Sequence, residues 1–167
     1  MSLSDSISVE EVRAWLETVK DPEIPVLSVI DLGIVRDIRL IEGGVEVIIT
    51  PTYNGCPAMD VISTQIRLCL LEKGIKEVII TRQLSPAWTT DWMSEEGREK
   101  LHQYGIAPPL PKQQVCDPKL FAADEAVPCP HCGSWHTRRI SEFGSTACKA
   151  LYQCEDCREP FDYFKCH

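Results

Sequence analysis

Two Cys-x-x-Cys turns near the C-terminus, Cys129-Pro-His-Cys132 and Cys154-Glu-Asp-Cys157, constrain this chain more than any other feature. Each turn aims two sulfurs at one point, and two such turns supply the four thiolates of a closed tetrahedral site. The interval between them, positions 133 to 153, is slightly longer than usual and suits a ribbon with a long hairpin. The spacing predicts structural zinc held by Cys129, Cys132, Cys154 and Cys157 in a zinc ribbon over residues 128–167. Cys129-Pro-His-Cys132 also matches the dithiol of oxidising thioredoxin-like proteins. That chemistry needs a βαβ scaffold in which the first thiol opens a long helix. The short stretch after Cys132, positions 133–167, contains the second turn instead. Cys148, Cys166, His131, His136 and His167 exceed what one tetrahedral metal needs.

A chain of 167 residues suits one domain with a small appendage. Pro108-Pro-Leu-Pro111 reads as a stiff extended linker. The expected division is therefore a first domain over 1–107, a Pro-containing linker over 108–127 and the ribbon over 128–167. The tail is too short to bury a sufficient core alone and needs metal as its staple. Nine cysteines and an opening segment, Met1-Ser-Leu-Ser-Asp-Ser6, without a basic or apolar leader point to a reducing compartment and a cytoplasmic location. No apolar run approaches the roughly 20 residues of a membrane span.

The formal net charge is −8. Residues 1–111 carry 10 Lys and Arg against 17 Asp and Glu, and residues 112–167 carry 7 against 8. Phosphate binding needs a basic footprint, and Arg138-Arg139 is only a pair. Nucleic acid is disfavoured, and protein partners are favoured.

Ser8-Val-Glu-Glu11 has the form of a capping box, and Val9, Val12, Leu16 and Val19 recur at helical spacing, so a helix is expected over 9–20. A hairpin follows, with arms near Ile34–Leu40 and Val45–Thr50 and a Glu42-Gly43-Gly44 turn. Pro57 opens a second helix whose apolar face takes in Met59 or Val61-Ile62, Ile66, Leu70 and Leu71. A short strand at Glu77–Thr81 and a third helix over 94–104, capped by Ser94 and ended by Gly105, complete the order α-β-β-α-β-α. The fold class is α+β, a small mixed sheet covered by helices, followed by the ribbon. Trp135, Tyr152, Phe161, Tyr163 and Phe164 are available to cover a metal core.

Outside the ribbon, Cys56 is the candidate for chemistry. It sits in Thr50-Pro-Thr-Tyr-Asn-Gly-Cys-Pro57, where a helix start would favour its thiolate, the form that binds metal. The plainer alternative is a small thiol filling a turn. Asp21-Pro-Glu23 and Asp31-Leu-Gly33 hold carboxylates able to ligate metal, though turn capping is the better reading. Cys69 reads as core. The segment Trp88 to Leu101 fits a protein-contact surface and a packed lid equally well.

Three segments together resemble the metal–sulfur cluster biosynthesis domain family of iron–sulfur assembly factors: Asp21-Pro-Glu-Ile-Pro-Val-Leu-Ser-Val-Ile-Asp-Leu-Gly33, Thr50 to Pro57, and Pro86-Ala-Trp88 through Met93-Ser-Glu-Glu-Gly-Arg98. Joined to a ribbon bearing Gly144-Ser-Thr-Ala-Cys-Lys-Ala-Leu-Tyr152 and Glu159-Pro-Phe-Asp-Tyr-Phe164, the chain resembles the family of D components of bacterial phenylacetyl-CoA epoxidase systems. The resemblance implies a non-catalytic accessory or maturation protein of aerobic phenylacetate degradation. It implies Cys56 as the residue that transiently binds an iron–sulfur cluster or iron. Its implied partners are the other subunits of the epoxidase complex, the iron–sulfur reductase above all, and a second copy in a possible homodimer. A structural assembly adaptor with no labile metal is the alternative. The chain has no paired Glu-x-x-His motifs for a di-iron site and no Gly-x-Gly-x-x-Gly, so it matches neither the oxygenase nor the reductase component.

Overall fold

Helix α1 (Val9–Leu16) begins where Ser8 caps it. The Ser8 hydroxyl accepts from the Glu11 amide at 3.1 Å, and the Glu11 carboxylate accepts from the Ser8 amide at 2.9 Å. The apolar periodicity runs on to Val19, but the helix stops at Leu16 rather than at residue 20. The amides of Thr18 and Val19 fold back on the carbonyls of Trp15 and Leu16, so Val19 enters the core from a turn. Lys20 then forms an isolated antiparallel bridge with Ser28. The computed structural model describes residues 7–53, 55–109 and 126–165. It divides into two compact units, Met1–Trp88 and Thr89–His167.

In the first unit, β1 (Val35–Ile41) and β2 (Gly44–Ile49) form an antiparallel hairpin in which Ile41 pairs with Gly44. Glu42-Gly43 makes the turn, with Gly43 at φ 80°, a conformation that glycine adopts without steric cost. Val45, Val47 and Ile49 alternate inward and are buried. Helix α2 (Ala58–Glu72) follows, and β3 (Glu77–Arg82) returns parallel to β2, giving a mixed sheet of order β1-β2-β3. Helix α1 packs on α2 and β1, and α2 packs on β3.

Ala58, Met59, Ile62, Ile66 and Leu70 form the buried stripe of α2. Val61 and Leu71, expected on that face, are exposed because about 100° of rotation per residue carries them off the stripe. Cys69 is half-buried rather than core: its thiol donates to the Trp15 carbonyl at 3.5 Å, across the α1–α2 contact. Trp88 is 3% exposed and donates its indole N–H to the Leu32 carbonyl at 2.7 Å. That end of the aromatic segment is a packed lid.

The second unit opens with a 3-10 turn (Thr90–Trp92) and α3 (Glu95–Gln103). The Ser94 hydroxyl accepts from the Gly97 amide at 2.9 Å, and Gly105 (φ 85°) ends the helix. Strand β4 (Ile106–Ala107) pairs in parallel with β7 (Pro160–Phe164), which pairs with β6 (Lys149–Cys154), which pairs with β5 (Thr137–Ser141). The sequence placed α3 with the first sheet and the boundary at residue 108. The contacts divide the chain after Trp88 because Ile106 and Ala107 pair with Asp162 and Tyr163, in the last strand. Pro108 and Pro109 belong to the second unit, and Arg98 donates to the carbonyls of Pro109 (3.0 Å) and Thr90 (2.7 Å). Linker residues 110–125 lie outside the described residues. Among the described residues no helix is long and apolar enough to cross a membrane.

Two leucine-sized positions on α2 offer a direct check. Ile66 is 0% exposed and Leu68 is 54% exposed. Urea unfolding should find Ile66→Ala destabilising by about 2–5 kcal/mol, while Leu68→Ala should stay within about 0.5 kcal/mol of the parent.

Candidate functional site

Both Cys-x-x-Cys turns are knuckles built on the same plan. In the first, the Gly133 amide donates to the Cys129 carbonyl at 2.8 Å, the Cys129 amide to the Ser134 carbonyl at 2.9 Å, and the His131 amide to the Cys129 sulfur at 3.4 Å. In the second, the Cys154 amide donates to the Glu159 carbonyl at 3.1 Å and the Cys157 amide to the Cys154 sulfur at 3.5 Å. A left-handed residue follows each second cysteine: Gly133 at φ 76° and Arg158 at φ 67°. Arginine there carries a steric cost of roughly 1–2 kcal/mol. Gly133 was readable as a turn glycine, whereas nothing in the sequence marks Arg158.

The two knuckles meet. Cys129 lies 3.7 Å from Cys157 and Cys132 lies 3.6 Å from Cys154, sulfur to sulfur. All four sulfurs fall within 4.8 Å of one another, the sole such group of three or more His, Cys, Asp or Glu side chains among the described residues. Tetrahedral zinc with Zn–S of about 2.3 Å spaces its sulfurs about 3.8 Å apart, so the donor set fits that ion in number, type and spacing. Hydrogen bonding from the Cys157 amide, opposed by desolvation and reinforced by the Asp156 amide, pulls the Cys154 thiol down to about 7.

An apolar layer backs the sulfurs. Ala150, Tyr152 and Cys154 share one face of β6, with Tyr163 and Phe161 directly opposite the first two. Tyr152 stacks on Phe161 at 5.8 Å and meets Tyr163 edge-on at 5.6 Å. Trp135, expected in this layer, is 55% exposed. The first knuckle is followed by a turn and strand, not a helix, so it lacks the scaffold of a thioredoxin dithiol. Cys148 is buried apart from the four, its sulfur 3.0 Å from the Thr146 hydroxyl. His131 is exposed against Gly105, and His136 is exposed beside Asp156. Cys166 and His167 lie outside the described residues.

Cys56 belongs to the first unit, in the loop between β2 and α2. Gly55 (φ 77°) turns the chain, the Cys56 amide donates to the Tyr53 carbonyl at 3.4 Å, and the Met59 amide donates to the Cys56 carbonyl at 3.3 Å. The thiol is half-buried. Thr50, which opens the loop, is buried, and its hydroxyl is the one buried side-chain polar atom without a hydrogen-bond partner among the described residues. The sequence suggests a helix start that favours thiolate, but burial is the largest influence and raises the thiol above its ordinary range. The Ala58 amide and the Tyr53 side chain pull it down, and the carboxylates of Glu23 and Asp21 push it up further. Asp21 is also the turn cap that the sequence suggested, accepting from the amides of Glu23 (2.7 Å) and Ile24 (3.0 Å). Asp31 and Ser28 cap each other in the same way, at 3.1 and 3.0 Å. What sequence reasoning missed is that Glu23 and Asp21 also act on Cys56.

These surroundings favour the protonated thiol over the thiolate. Alkylation of Cys56 by iodoacetamide, followed by peptide mass spectrometry, should be slower at pH 7 than that of an unstructured cysteine and should accelerate above pH 9. Glu23→Gln should speed the pH 7 reaction by about twofold or more, since it removes a nearby negative charge.

Comparison with known proteins covers both units. The iron–sulfur cluster assembly protein family matches residues 9–73, and the PaaD zinc beta ribbon domain matches residues 113–165. A protein of Escherichia coli (strain K12), named provisionally as the D component of 1,2-phenylacetyl-CoA epoxidase, is 51% identical over 158 residues, 95% of this chain and 93% of its own. An Fe-S protein maturation auxiliary factor of Porphyromonas gingivalis (strain ATCC BAA-308 / W83) is 40% identical over 94 residues, 55% of this chain and 89% of its own. Among solved structures, a domain of unknown function DUF59 from Bacillus anthracis is similar with a TM-score of 0.52 and 26% identity, covering 55% of this chain and 89% of its own. A conserved hypothetical protein from Thermotoga maritima is similar with a TM-score of 0.50 and 32% identity, covering 60% of this chain and 98% of its own. With a match running along nearly its whole length, through an iron–sulfur assembly module and a zinc ribbon, the chain belongs to the family of D components of 1,2-phenylacetyl-CoA epoxidase.

Proposed function

We propose that this protein is a non-catalytic maturation factor of a phenylacetyl-CoA epoxidase system, cytoplasmic, which assists insertion of an iron–sulfur cluster or iron into a subunit of that complex. The iron–sulfur reductase is the proposed client. One observation carries this reading: an iron–sulfur assembly module that presents a half-buried thiol on a strand-to-helix loop is joined to a ribbon with four sulfurs already grouped together. The names of the relatives support it. One is assigned to the epoxidase, and the other is a maturation auxiliary factor.

In this reading the two sulfur sites do different work. Cys129, Cys132, Cys154 and Cys157 hold structural zinc as thiolates, which cross-links the strands of a unit too small to rely on its apolar core alone. Cys56 meets the cargo. On arrival of an iron ion or an exposed cluster iron, its S–H proton passes to water and the sulfur donates its electron pair to iron. On delivery, a client thiolate takes that coordination place and Cys56 regains a proton. A single protein ligand leaves the remaining positions on iron open to the client, or to the Cys56 of a second copy in a homodimer.

A specific observation favours a second reading, that of an assembly adaptor without labile metal. Burial and two carboxylates disfavour the Cys56 thiolate, and no further His, Cys or carboxylate completes a group of three around it among the described residues. Metal and sulfide analysis of anaerobically isolated protein distinguishes the two readings. About one zinc per chain with no iron or sulfide after reconstitution supports the adaptor. For the maturation reading, Cys56→Ser co-produced with the reductase should lower the reductase's iron and sulfide content by about half or more while leaving zinc in the mutant protein unchanged. Unaltered reductase occupancy would remove Cys56 from the mechanism.

A further inference from the structure

The knuckles are joined by more than their sulfurs. Ser134, just beyond Cys132 in the chain, donates its hydroxyl to the carboxylate of Asp156, which lies between Cys154 and Cys157. The same hydroxyl accepts from the His136 amide at 3.0 Å. The His136 ring nitrogen Nδ1 lies 3.3 Å from Asp156 Oδ2 and 3.5 Å from Oδ1, so both carboxylate oxygens are engaged. The main chain repeats the link, with the Glu155 amide donating to the His136 carbonyl at 2.7 Å. Ser134 is also part of the first knuckle itself, because its carbonyl accepts from the Cys129 amide.

We propose that Asp156, clamped by Ser134 and His136, is a positioning residue that locks one knuckle against the other and so keeps the four sulfurs from parting. The proposal rests on the reading of those sulfurs as a zinc site. Release of a tetrahedral metal starts when one ligand leaves. Here the first knuckle holds Cys132, the exposed member of the four, opposite Cys154 of the second. Separation of the two knuckles opens that sulfur pair, and it must break the Asp156 clamp as well. Neither Ser134 nor Asp156 belongs to the four-sulfur group. They hold the loops that carry the ligands, the role that outer partners commonly play in metal sites.

The test uses the full-length, zinc-loaded protein and follows zinc transfer to an excess of a chromogenic chelator. Asp156→Ala should speed release by roughly 10-fold, within the range seen when outer partners of a metal site are removed. Ser134→Ala should also speed release, and the double variant should be no faster than Asp156→Ala, because both changes break one clamp. Asp156→Asn keeps an oxygen for Ser134 and should fall between parent and Asp156→Ala, which gives a readout even where Ala disturbs folding. Glu155→Gln serves as the charge control. Glu155 neighbours Asp156 and pairs only loosely with Arg138, at 3.7 Å, so its removal should leave the rate within about twofold of the parent. Equal acceleration by Glu155→Gln and Asp156→Asn would assign the effect to local charge and overturn the clamp, as would additive effects of Ser134→Ala and Asp156→Ala. A zinc-loaded parent with unchanged release from the Asp156 variants overturns the clamp alone. A parent that takes up no zinc overturns the zinc reading itself.

Discussion

Four sulfurs gathered within 4.8 Å, with no covalent bond among them, pose the constraint on which the second unit depends. One knuckle precedes β5, the other joins β6 to β7, and Cys154 is itself the last residue of β6. They converge at one end of the three-stranded ribbon, and the Tyr152, Phe161 and Tyr163 rings pack with Cys129 and Cys154 in one buried cluster. Without a cation, four thiols this close cannot ionise together, because each new thiolate raises the cost of the next. A divalent ion removes that conflict, and the free energy of its binding becomes folding free energy for a unit with few apolar side chains to spare.

The first unit needs no such staple. Its core is continuous from α1 through α2 to the sheet, with Leu16, Ile49, Ile62, Ile66 and Leu70 fully buried. The β2–α2–β3 crossover produces the location of Cys56. A parallel pair needs a helix to return the chain, and the loop that enters that helix lies at the carboxyl end of β2. Binding loops gather at that end of parallel strands for a geometric reason: the strand ends and the helix start leave a crevice between them. The Pro57 start and the Gly55 turn are local means of bringing a thiol to that place.

The local devices were legible in the sequence, because each depends on residues a few positions apart. The Ser8–Glu11 box, the Gly43 turn, the Ser94 cap and both knuckles follow from spacing alone. Features that depend on a distant partner were not. The limit of the first unit is set by pairing of Ile106–Ala107 with β7, a strand that begins only at Pro160. The exposure of Val61 and Leu71 depends on where the core lies around α2, which an apolar-rich helix does not reveal by periodicity. The proton affinity of Cys56 depends on burial and on Glu23 and Asp21, carboxylates far upstream whose turn-capping motif gives no sign of a second neighbour.

That last feature bears on how a lone thiol could hand over a metal. Metal affinity at a thiol is reduced by the work of removing its proton, about tenfold for each unit by which the pKa exceeds the pH. At Cys154 the amides of Cys157 and Asp156 have done part of that work, whereas Cys157, despite the pull of the Glu159 amide, is pushed up to about 12 by desolvation and the neighbouring sulfurs. At Cys56 burial and two carboxylates oppose it, so any bound metal competes continually with a returning proton. The same carboxylates would attract a cation while they disfavour the bare thiolate. In a site of four converging thiolates, each ligand that leaves is still surrounded by three that stay. The two positions thus differ in their surroundings: backbone amides and neighbouring sulfurs at one, burial and carboxylates at the other.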